Sequence, residues 1–101
     1  MSEAEEKILC ESPTPGAPPV RIEKWKYMLV RQAILSAVPD KEPGLPSYEL
    51  PFRVKQFLSR EDIIALGSVA RYANAVQLDL EAKGEIEVVP ESKPHRLIRK
   101  V

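Results

Sequence analysis

The sequence predicts a mainly helical α+β domain: three to four helices followed by a C-terminal β-hairpin. Three stretches carry that expectation. From Glu23 to Val38 there is neither Gly nor Pro, and Tyr27, Val30, Ile34 and Ala37 recur at helical spacing, with Leu35 and Val38 widening the stripe. From Val69 to Lys83 runs a second long uninterrupted helical pattern, closed by a cation in its last turn and by Gly84, where a left-handed residue ends many helices. Beyond it, Glu85 to Val88 alternates polar with β-branched residues, Val89 to Pro94 supplies a turn, and HRLIRKV returns from His95 to Val101.

The remaining elements follow from punctuation. Ser12 to Pro19, SPTPGAPP, removes backbone donors and fixes φ, which excludes a helix interior or a central strand. Residues 1–19 are therefore expected to be a disordered acidic, proline-rich tail, with the domain occupying 20–101. Pro39 stops the first helix, and Asp40 to Pro46 reads as a turn-rich connector. A second helical segment opens at Ser47 or Leu50, with Pro51 near its first turn and Leu50, Val54, Phe57 and Leu58 on its apolar side. Ser59-Arg60-Glu61-Asp62 has the form of a capping box and starts a short helix that Gly67 interrupts. Ser68 then caps the long run.

Composition limits the function classes. The chain has 101 residues, enough for one domain. Its 15 Lys+Arg balance 15 Asp+Glu, but residues 1–19 hold a local excess of acid, so the remainder is mildly basic. That permits nucleic-acid binding without requiring it. No apolar run approaches a membrane-spanning length, and the acidic start lacks the pattern of a secretory signal, so a cytoplasmic location is expected. A single cysteine, Cys10, excludes an internal disulfide and sits in the expected tail as a free surface thiol.

Few residues can carry chemistry. The one histidine, His95, has no second His or Cys with which to share a metal, and no glycine-rich loop exists to cradle a phosphate. Ser47, Ser59 and Ser68 precede helical runs and read as caps, not nucleophiles. The pairs Glu61/Asp62 and Asp79/Glu81 read as solvated groups. Trp25 and Tyr27 suit core packing, and an aromatic fraction of 6% disfavours a stacking platform for single-stranded nucleic acid. The expectation is a non-enzymatic protein without a cofactor, metal or small-molecule substrate.

The order of elements matches a winged helix-turn-helix domain, in which the last helix precedes a wing. VQLDLEAKGEI, residues 76–86, resembles the end of the third helix and the first wing strand of winged-helix regulators. Pro15-Gly16, Tyr27 and the QLDLEAKG segment together resemble a small bacterial family of uncharacterised winged-helix-like proteins, over roughly residues 15–99. That resemblance implies a fold and no activity. Two features depart from an ordinary reader of duplex DNA. SREDIIALG separates the second helix from the long one where a tight turn is usual. On the long helix, Val69, Tyr72, Ala73, Val76 and Leu80 form the apolar face, and opposite them lie Arg71, Asn74, Ala75 and Leu78.

The leading expectation is weak binding of double-stranded DNA through Ser68, Arg71, Asn74 and Ala75, where Arg can bond guanine and Asn adenine. A basic wing of Lys93, His95, Arg96 and Arg99 would meet the phosphates. The same basic residues would equally serve to keep an edge strand from pairing with other chains. The alternative is a protein-interaction module or homodimer using Leu78, whose place on the exposed side calls for a cover: the hairpin, the N-terminal segment or another subunit.

Overall fold

A computed structural model describes residues 6–100. They form a compact α+β arrangement of four α-helices and two small antiparallel sheets. Strand β1 (Lys7–Cys10) pairs with β2 (Val20–Glu23), which runs directly into helix α1 (Lys24–Ala37). Strand β3 (Leu45–Pro46), a 3-10 turn at Ser47–Glu49 and α2 (Leu50–Lys55) follow, then α3 (Arg60–Leu66) and α4 (Val69–Ala82). The chain closes with β4 (Ile86–Val88) and β5 (Arg96–Arg99). The second sheet has the order β3-β5-β4, so a strand from between α1 and α2 flanks the C-terminal hairpin.

Local chemistry explains the helix ends. Ser59 Oγ accepts the Asp62 amide at 3.0 Å and Ser68 Oγ accepts the Arg71 amide at 3.3 Å, so both serines act as N-caps. Ser47 does not: the adjoining helical turns have no side-chain cap, and α2 starts instead with Pro51 in its first turn. The end of α4 is a Schellman motif, with the Glu85 amide on the Leu80 carbonyl, the Gly84 amide on the Glu81 carbonyl, and Gly84 at φ 78°.

The N-terminal segment differs from the sequence expectation. Residues 1–5 lie outside the described residues, but Lys7–Cys10 is a strand, and Cys10 is 2% exposed within the core. The expected tail is thus part of the domain from Lys7 onward. The proline-rich stretch is the connector of a hairpin whose two strands close on each other and on α4, burying Cys10 and Ile22. Cys10 is consequently no surface thiol; burial pushes it up to about 11.

One core joins these parts. Val30 and Ile34 of α1, Leu50 and Val54 of α2, Val76 and Leu80 of α4, and Ile86 and Leu97 of the C-terminal sheet are almost fully buried together. Gly44 marks the tightest approach: it has φ +81°, and a Cβ there would stand 2.6 Å from the Leu97 carbonyl oxygen. Since the obstacle is backbone of the central strand, Gly44→Ala is expected to cost about 2 kcal/mol or more, read as a lowered midpoint in urea denaturation.

Candidate nucleic-acid interface

Helix α4 presents two different halves. Around its first two turns Ser68, Arg71 and Asn74 are exposed, and no carboxylate pairs with Arg71 among the described residues. Ala75 and Leu78, further along the same side, are half-buried. A cleft of about 130 Å³ lies between them and Cys10, Glu11, Ser12, Ala17, Pro18 and Val20. The cover that Leu78 calls for is therefore supplied by the N-terminal hairpin of the same chain. Leu78 is thus partly enclosed by its own chain, and Ala75 packs in part against the core.

What holds the hairpin on α4 is Asp79, which is fully buried and not the solvated acid its helix position suggests. Its Oδ1 accepts the Glu11 amide at 2.9 Å, and its Oδ2 accepts both the Tyr27 hydroxyl and Lys83 Nζ, the latter at 2.8 Å. One carboxylate thus ties the end of β1, the first turns of α1 and the last turn of α4. Burial pushes the Asp79 carboxyl upward, but the bonds from Lys83, Tyr27 and the Glu11 amide outweigh it and hold the group below the usual carboxylate range. The Tyr27 hydroxyl is raised, by burial first and then by its bond to Asp79.

The basic residues of the C-terminal hairpin separate. Lys93 and His95 are exposed at the turn, and the Ser47 amide donates to the His95 carbonyl at 2.8 Å, which seats the turn against the start of α2. Arg96 is half-buried and reaches the Gly44 carbonyl at 3.3 Å. Arg99 does not join this group. Alternation along β5 puts it on the face of buried Leu97, and its register opposite Ile86 places it at the far end of the hairpin from the turn, beside α1. Lys100 is paired with Glu87 at 2.9 Å.

The sequence reading also missed an aromatic surface. Tyr48, Phe52 and Phe57 are 70%, 67% and 53% exposed around α2, near Arg53 and Lys55. Counting aromatics over the whole chain dilutes this local concentration, and Phe57 faces a groove with Ala37, Pro39 and Leu45, not the core. Among the described residues no group of three His, Cys, Asp or Glu side chains is placed to hold a metal. No helix there is long and apolar enough to cross a membrane.

The fold and this surface define a small α+β domain with an exposed basic helix start and a hairpin-covered helix end. The chain belongs to DUF6958, a family of unknown function, whose model matches residues 7–97 and so takes in the N-terminal hairpin. No curated protein and no solved structure matches it.

Proposed function

We propose that the chain is a cytoplasmic, non-enzymatic winged-helix domain that binds double-stranded DNA weakly. The open start of α4 (Ser68, Arg71, Asn74) approaches the bases, and Lys93 and His95 at the turn of the C-terminal hairpin approach the phosphates. The observation that carries this reading is the order of elements: a hairpin directly after the last helix, packed with a strand from between the first two helices. Arg71 and Asn74 are the residue types that bond guanine and adenine in the major groove. Because the covered half of α4 cannot enter a groove, contact is confined to about two helical turns, which agrees with weak binding.

Arg71→Ala and Asn74→Ala should each weaken binding to a duplex by about tenfold where the contact is to a base. Lys93→Ala should weaken it less, and equally across sequences. Ser68→Ala would confound the result by removing the cap and is best avoided. Unchanged affinity in both α4 variants would refute the role of this helix.

The alternative, a protein-interaction module, loses part of the support of Leu78, since the chain itself partly encloses that residue. It gains support from the exposed Tyr48, Phe52 and Phe57, because aromatic side chains are enriched in protein interfaces.

A further inference from the structure

Helix α1 has a second apolar stripe beside its buried side, in which Leu29 and Leu35 pack partly against the core and Trp25 and Met28 stand exposed. Tyr27, Val30, Ala33 and Ile34 fill the buried side, while Trp25, Met28, Gln32 and Leu35 recur three and four residues apart along the stripe, with Leu29 beside them. A helix that packs on one side needs only one such stripe. Trp25 and Met28 are 37% and 50% exposed, and Trp25 is oriented by donating its indole N–H to Glu23 at 2.9 Å. The stripe runs for about 15 Å along the axis. It forms the wall of an open groove of about 910 Å³, to which Arg31 and Arg99 contribute the cations.

The two arginines are not equivalent. Arg31 is paired with Glu85. Arg99 has a buried Nε that meets no hydrogen-bond acceptor among the described residues. Arg99 also has no carboxylate partner among the described residues, so its guanidinium is the cation on this groove that is not already neutralised.

We propose that this groove docks an acidic amphipathic helix of a partner protein. Apolar side chains at three- and four-residue spacing would fill between Trp25, Met28, Leu29 and Leu35, and a carboxylate would meet Arg99. Charge selects this occupant. A second copy placed face to face would bring both copies' Arg31 and Arg99 into one groove. It would offer no free carboxylate there, since Glu23 is bonded to Trp25 and Lys26, and Glu85 to Arg31. A nucleic-acid strand would satisfy the arginines but leave Met28, Leu29 and Leu35 against sugar and phosphate.

The test is titration of isotope-labelled full-length protein, followed by NMR. The probe is a synthetic helical peptide with Leu and Phe on one face and Glu on the other. Two controls are the same peptide with Lys for every Glu, and oligo-dT. The acidic peptide is expected to shift the amides of α1 and the end of β5 together with the Arg99 Nε–H signal, and the Lys peptide to leave them unmoved. Arg99→Gln is expected to weaken binding at least about tenfold. Met28→Glu, at an exposed position that folding does not need, should abolish it while leaving duplex affinity unchanged. The proposal is overturned by no binding of the acidic peptide, by equal binding of the Lys peptide, or by shifts confined to other surfaces. Oligo-dT binding at α1 would make the occupant a nucleic acid instead. A dimer that Met28→Glu dissociates would make it a second copy.

Discussion

Asp79→Ala is expected to destabilise the protein by about 3 kcal/mol, lowering the thermal midpoint by about 15 °C. The substitution removes the acceptor of three donors at once: the Glu11 amide, the Tyr27 hydroxyl and Lys83 Nζ. Lys83 is 42% exposed and can turn to water, so most of the loss falls on the tyrosine and the amide. Asp79→Asn keeps the shape and one acceptor and should lose less. The carboxyl also sets a pH dependence. It titrates in the folded state below its unfolded value of about 3.9, so its stabilisation is complete at neutral pH and is lost as the pH falls below about 4. Tyr27 and Lys83 are both raised, so their contributions persist to about pH 10 and are lost as the pH rises beyond their folded values. Circular dichroism melts across this range should show a stability plateau between those limits. Its acid edge should be blunted in Asp79→Ala.

Removal of residues 1–19 should have an effect at least as large, a fall in thermal midpoint of more than about 15 °C. As a solvated lead-in, the segment could be deleted without consequence. In the structure its loss strips β1 from β2, uncovers Ile22, Ala75 and Leu78, and takes the Glu11 amide from Asp79. Burial of Cys10, with the partial burial of Ile8, adds apolar area worth about 1.5–3 kcal/mol for each fully buried large side chain. The amides of Ile8 and Cys10, which point toward β2 in this register, should therefore exchange slowly in the intact chain and rapidly in Asp79→Ala, where the strand has lost its anchor. Rapid exchange of these amides in the intact chain would refute the role of the hairpin as part of the domain.

The helices were legible because their signals are local. Ser59 and Ser68 bond amides three residues on, and Lys83-Gly84 closes α4 within one turn. The short strands were not. Leu45–Pro46 is too brief to alternate and lies among prolines and glycine, and KILC forms a strand only because residues 20–23 return beside it. Asp79 shows the same limit within a helix. It lies three residues after Val76 and next to Leu80, in register with the buried face, yet only Tyr27 across the core and the Glu11 amide make a carboxylate acceptable there. Of the candidate interface, the exposed Arg71, Asn74, Lys93 and His95 follow the sequence pattern. Ala75 and Arg99 do not, because what covers or surrounds them comes from distant parts of the chain.

The proposed activity is tested most directly by fluorescence anisotropy of a labelled random-sequence duplex, titrated with the intact protein at about 50 mM and about 200 mM salt. Weak binding that falls steeply between the two conditions is the expected result, since contacts from Arg71 and Lys93 would release counterions from the phosphates. No binding at the lower salt would contradict the account and leave the protein-docking surfaces of α1 and α2 as the basis of function.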